Sequence, residues 1–177
     1  MAYLDTNLLL SYYFENDRNH RHAAEIVESL KQQGKKRYIS PLVIVELYAV
    51  ISRRLEQLRL PPPFINLDRE GKIQAVIKDI IQKVEAITTN DECRIDQLNQ
   101  AKAFHIYVKA IKQAGQLKLK TLDLLHIAYA LRLAEKNLAD TFATLDREIT
   151  EKKPILEHLG IKILSNAHEN TAEQGNA

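Results

Sequence analysis

Four carboxylates carry the strongest chemical signal in this chain: Asp5, Glu46, Asp123 and Asp146. Glu46 sits inside VIVELYAVI, Val43 to Ile51. On a helix its neighbours three and four positions away are Leu42, Val43, Ala49 and Val50, all apolar. An ionised carboxylate on such a face is costly unless something pairs with it. Two readings are open: a helix that turns Glu46 to solvent, or a site where a cation compensates it. The other acids have ordinary roles open to them as well. Asp5 suits an Asx-turn or a helix cap, Asp146 an N-cap before Arg147, and Asp123 a favourable charge on the first turn of a helix. If three or four of them converge they repel, and the arrangement persists at neutral pH only with protonation or a bound cation. Oxygen ligands alone favour Mg²⁺ or Mn²⁺ over zinc. Such sites commonly act on phosphate substrates, where the cation activates a water, orients the phosphate and neutralises the leaving oxygen.

The elements that must position these acids read as strands alternating with helices. Tyr3-Leu4 predicts a strand ending at Asp5-Thr6-Asn7, and the apolar run Leu8 to Phe14 begins a helix. Ala23, Ile26, Val27 and Leu30 have helical spacing, with Gly34 as the stop. Arg37 to Ile39 predicts a second strand. Ser40 as N-cap and Pro41 as first residue then open the helix that carries Glu46, to about Leu58. Pro61-Pro62-Pro63 ends it. Helices are expected over 71–87, 91–113 (broken at Gly115) and 121–136, and a short one before His158. Strands are expected over 141–145 and 161–164. This alternation predicts an α/β fold, a parallel sheet covered on both faces. Ligands then collect at the carboxyl ends of the strands. Asp5 and Asp146 fall on that edge and Glu46 on the second turn of the helix after the second strand. Asp123 is the placement the pattern fixes least.

At 177 residues, 45% hydrophobic and 27% charged, the chain reads as one soluble domain with a sizeable core. No apolar run approaches the ~20 residues a bilayer requires, and the N-terminus lacks a basic leader, so a cytoplasmic protein with no membrane partner is expected. The single cysteine, Cys93, excludes an internal disulfide and a Cys-rich zinc site. A net charge of +2 does not by itself point to nucleic acid. There is no GxGxxG, Walker loop or GxSxG elbow, which disfavours dinucleotide, NTP and serine-hydrolase chemistry.

Four stretches, YLDTN at 3–7, ISPLVIVEL at 39–47, TLDLLHIAYAL at 121–131 and FATLDREI at 142–149, each hold one acid. Together they resemble the PIN-domain ribonucleases, the family that includes the VapC toxins. The resemblance spans nearly the whole chain in the family's order. It implies a three-layer α/β/α sandwich with a central, mainly parallel sheet. It also implies a Mg²⁺- or Mn²⁺-dependent endoribonuclease that leaves a 5′-phosphate and a 3′-hydroxyl. Asp5, Glu46, Asp123 and Asp146 would be the catalytic, metal-holding cluster, and Asn7 and Thr144 the polar residues beside the first and last acids that orient a ligand or water. A homodimer and an antitoxin or other inhibitory protein are the partners it implies. The expected organisation is one nuclease domain over 1–164, with a helical insertion at about 59–96 and a disordered tail over 165–177.

Lys102, Lys109, Lys112, Lys118 and Lys120 precede Asp123, and Arg53, Arg54 and Arg59 form a second basic group. Either could hold an RNA backbone or be a solvated helix face; Arg53, Arg54, Lys118 and Lys120 are the RNA-binding candidates. His126, one turn after Asp123, is expected as a packed or hydrogen-bonded core histidine, and Tyr12-Tyr13-Phe14 as core or dimer contact. Two rival functions stay open. One is a non-catalytic PIN-like module binding RNA or protein. The other is a phosphatase-type hydrolase with Asp5 as nucleophile, although Asn7 stands where its second acid belongs.

Overall fold

A computed structural model describes residues 1–58 and 60–165. Arg59 and the tail after Ser165 lie outside the described residues. The central sheet has five parallel strands, β1 (Ala2–Leu4), β2 (Arg37–Ile39), β3 (Ala86–Thr88), β6 (Thr141–Ala143) and β7 (Lys162–Leu164), in the order β3-β2-β1-β6-β7. Register runs Tyr3 beside Tyr38 on one side and Phe142 on the other. β1, β2 and β6 are buried at every position, as strands covered on both faces must be. Helices form the two outer layers of the sandwich. α1 (Thr6–Tyr13), α2 (His20–Gln32), α3 (Pro41–Arg54) and α5 (Arg69–Lys83) pack on one another, while α6 (His105–Leu117) pairs with α7 (Thr121–Glu135). A 3-10 turn (Leu55–Gln57), α4 (Pro62–Ile65), α8 (Arg147–Thr150) and α9 (Lys153–His158) complete the order. Connections leave β1 toward β2 and leave β6 toward β7, so the winding reverses between β1 and β6. That reversal opens a crevice at their carboxyl ends.

Local sequence explains most of these elements. α2 buries Ala23, Ile26, Val27 and Leu30, and the chain leaves it through Gly34 at φ +61, a conformation that suits glycine. Pro41 opens α3 at its first position. Asp68 caps α5 by accepting from the Gly71 amide.

Three expectations are corrected. The helix expected over 91–113 is instead a hairpin, β4 (Ile95–Leu98) and β5 (Ala101–Phe104), followed by α6. Asn99 at φ +52 makes its tight turn, a backbone Asn tolerates. Gly115 does not break α6, which runs on to Leu117 and ends at a left-handed Lys118. The end of the helix expected to reach residue 87 becomes β3, after Glu85 reverses the chain at φ +50. The segment 59–96 thus carries α4 and α5 and also the edge strand β3.

Candidate active site

Asp5 ends β1 and occupies the N-cap position of α1, yet its side chain does not cap that helix. It is 4% exposed. Oδ2 accepts a 2.6 Å hydrogen bond from Thr144 Oγ1, and Oδ1 lies 3.6 Å from His126 Nε2. Thr144, just past β6, accepts in turn from the Asp146 amide at 3.0 Å and from Asn7 Nδ2 at 3.5 Å. Asn7 Oδ1 accepts from the Leu145 amide. Asn7 and Thr144 therefore tie the ends of the two strands across which the winding reverses, and fix where Asp5 points.

Glu46, half-buried on the second turn of α3, faces Asp5 across the crevice. Its Oε2 accepts from the Thr6 hydroxyl and lies 2.8 Å from His126 Nε2. The face it occupies is mixed: Val43 is buried, Ala49 exposed. Ligand atoms of Asp5, Glu46 and His126 all lie within 4.8 Å of one another. Among the described residues no other group of metal-ligating side chains meets that criterion. Asp123 and Asp146 stand outside this tight trio but close enough for their charges to act on each other, and Asp123 is within reach of Asp5 as well. Asp146 also takes the ordinary role open to it, capping α8 through the Glu148 and Ile149 amides.

His126 is the group sequence reasoning did not assign to the site. It is 3% exposed and hydrogen-bonded, as expected of a core histidine, but its partners are the site's own acids. The available signal was its spacing of three residues from Asp123, which puts both on one face of α7. Behind it, Nδ1 shares a 2.8 Å hydrogen bond with Tyr3 OH, which lies 2.8 Å from Ser40 Oγ. Ser40, the N-cap of α3, makes no cap bond with its side chain. Replacing Tyr3 by Phe removes the partner shared by two buried polar groups, at an expected cost of about 1–3 kcal/mol. The urea midpoint should fall with an unchanged m-value. An unaltered midpoint contradicts that account.

Burial pushes the Asp5 carboxyl above its ordinary range, against the opposing pull of His126 and Thr144. Burial, then the charges of Asp146 and Asp5, push Asp123 the same way. Burial also disfavours ionised Glu46, but His126 and Thr6 outweigh it and hold Glu46 below the usual range. For His126 burial opposes the charged form, while the Glu46 hydrogen bond and the Asp5, Glu46 and Asp123 charges raise it overall. One imidazole thus serves several acids. A buried and a half-buried carboxylate facing each other, with further acids nearby, make a donor set that fits a hard divalent cation, with Mn²⁺ also tolerating an imidazole nitrogen.

The RNA-binding candidates fall in separate places. Lys120 pairs with Glu148 at 2.8 Å and lies within electrostatic reach of Asp123 and Asp146. Lys118 is exposed on the same turn. Lys109 is drawn to Glu135 at 2.5 Å, so the basic run is partly neutralised. Arg53 and Arg54 are exposed on the last turn of α3, about 12 Å along the helix from Glu46.

The PIN domain family model matches residues 2–153. Among solved structures, the chain is similar to VapC20 of Mycobacterium tuberculosis, a toxin that cleaves the sarcin-ricin loop. Identity is 12% and the TM-score 0.52, over 85% of this chain and 94% of that one. It is also similar to VapBC2 of Rickettsia felis bound to a DNA fragment from its promoter. Identity there is 17% and the TM-score 0.55, over 93% of this chain and 98% of that one. No relative among curated proteins matches the chain.

Proposed function

Because this chain belongs to the PIN domain family, we propose that it is a Mg²⁺- or Mn²⁺-dependent endoribonuclease. The observation that carries the reading is the Asp5–Glu46–His126 cluster at the reversal between β1 and β6, flanked by Asp123 and Asp146. Asp5 and Glu46, with Asp123 and Asp146, would hold the cation. Bound there, the ion supplies Lewis acidity toward the phosphodiester and lowers the pKa of water. The chain's own groups do the rest. Thr144 and Asn7 lock Asp5, Thr6 and His126 lock Glu46, and Lys120 stands beside Asp123 and Asp146 where a phosphate would need a cation.

The finer reading is a toxin held by an antitoxin, in a homodimer. Its support is the likeness in fold to VapC20 and to a VapBC complex. Among the described residues no helix is long and apolar enough to cross a membrane.

The test is a mixed pool of structured and single-stranded RNA incubated with Mg²⁺, Mn²⁺ or EDTA. Cleavage to 5′-phosphate and 3′-hydroxyl ends with either metal, abolished by EDTA, is the expected result. Equal cleavage in EDTA sinks the proposal. RNA binding without turnover under every metal condition favours the non-catalytic module.

A further inference from the structure

A second cavity of about 290 Å³ lies away from the acids, among the loop after β3, the end of β5, the start of α6 and the later turns of α7. Three aromatic rings line it: Phe104, Tyr107 and Tyr129. Phe104 and Tyr107 are 51% and 49% exposed, with centroids 6.5 Å apart, so both rings still have apolar faces open to a ligand. Asp91, Glu92, His105 and Arg132 supply the polar lining; Glu92 is already ion-paired with Lys136 and His105 with Asp96. Tyr129 OH donates to Asp91 at 2.7 Å, and Arg132 Nη2 donates to the Asn90 carbonyl at 2.6 Å. Arg132 Nε, on a side chain 9% exposed, is buried without a hydrogen bond, Glu92 being 3.7 Å away.

This N–H without a hydrogen bond discriminates among occupants. A buried donor without an acceptor is costly. A cationic side chain would answer Asp91 and the rings but brings no acceptor for Arg132, and Glu92 already has Lys136. An aliphatic group answers neither. We propose that this cavity binds a nucleobase: its π-face stacks on Tyr107 and Phe104, its N–H edge donates to Asp91, and an acceptor on its other edge meets Arg132. Guanine fits best, since it carries donors on one edge and the O6 and N7 acceptors that arginine favours on another. The ligand class stands on the cavity alone. That the base comes from substrate RNA rather than a free nucleotide rests on the ribonuclease reading. α7 links the two sites, Tyr129 and Arg132 lying about 9 and 14 Å along the axis from Asp123.

Saturation-transfer NMR with the four 5′-mononucleotides in EDTA tests the site without any cleavage. The wild-type protein should bind, 5′-GMP most tightly. Tyr107→Ala and Phe104→Ala, both at half-exposed positions, should each weaken binding by at least about tenfold. Asp5→Asn should leave it unchanged. Circular dichroism checks that each variant is folded. Binding of no mononucleotide, or equal binding by folded Tyr107→Ala and Phe104→Ala, overturns the proposal. A single-stranded oligonucleotide that also loses affinity in these variants identifies RNA as the source. Loss confined to mononucleotides identifies a free nucleotide.

Discussion

Asp5→Asn is expected to lower RNA cleavage by about a hundredfold or more, because the amide removes a charge that holds the cation polarising the phosphate. The same change should leave the fold intact. The Asn carbonyl still accepts from Thr144 Oγ1, the contact that ties β1 to β6. Without metal the variant should be at least as stable as wild type. Asp5 is buried, and burial raises its carboxyl above the ordinary range. A group raised in the fold holds its proton more tightly there than in the unfolded chain, so the fold weakens as pH climbs from the usual carboxylate range through the raised value. The neutral amide escapes that penalty. Full cleavage by a folded Asp5→Asn protein would remove Asp5 from the machinery. A variant that fails to fold in EDTA would instead make Asp5 a structural residue.

The parts of the site readable in advance are those set by short-range pattern. Glu46 was conspicuous because its helical neighbours are apolar, although Ala49 proves exposed and the face only partly buried. Asp5 and Asp146 follow apolar strands, and strand ends in a parallel sheet are where ligands gather. His126 was harder to assign. Its spacing puts it on the face of Asp123, but only the tertiary placement of α7 brings it 2.8 Å from Glu46 and from Tyr3 OH. The pairings of the lysines before Asp123 are hidden from the sequence for the same reason. Lys109 and Lys120 meet Glu135 and Glu148, 26 and 28 residues away, and no local window records such pairings.

The fold divides along the same line. The long amphipathic helices and the buried strands β1, β2 and β6 announce themselves by period and composition. β3 does not: Ala-Ile-Thr continues an apolar helical pattern, and it is the reversal at Glu85 that turns it into an edge strand. The β4–β5 hairpin is built from Asp, Gln, Lys and Ala with few strand formers. Its pairing of Ile95 with Phe104 is a tertiary choice, and it helps shape the aromatic cavity beside α6.

Saturating Mn²⁺ or Mg²⁺ should raise the melting temperature of the wild-type protein, and raise it more at about pH 8 than at about pH 6. At about 100 times the Kd the gain is about 2.7 kcal/mol, or roughly 5–10 °C for a domain of this size. The pH dependence follows from three signs. Asp5 is raised, so its ionisation weakens the metal-free fold from the usual carboxylate range up through its elevated value. His126 is raised, so its support is complete below the usual imidazole range and is lost as pH climbs through its elevated value. Glu46 is lowered, so its support is in place above the usual carboxylate range and fades only on acidification. Rising pH therefore strips protons from Asp5 and His126 and, with Glu46 already ionised, leaves negative charge that a divalent cation can neutralise. Glu46→Gln should lose most of the metal-induced shift while keeping its bond from Thr6, and Arg54→Ala, about 12 Å along α3, should keep the shift in full. A wild-type shift equally large in Glu46→Gln would mean that the ions stabilise some other part of the molecule. A shift that shrinks with rising pH would mean that the trio does not take up the metal.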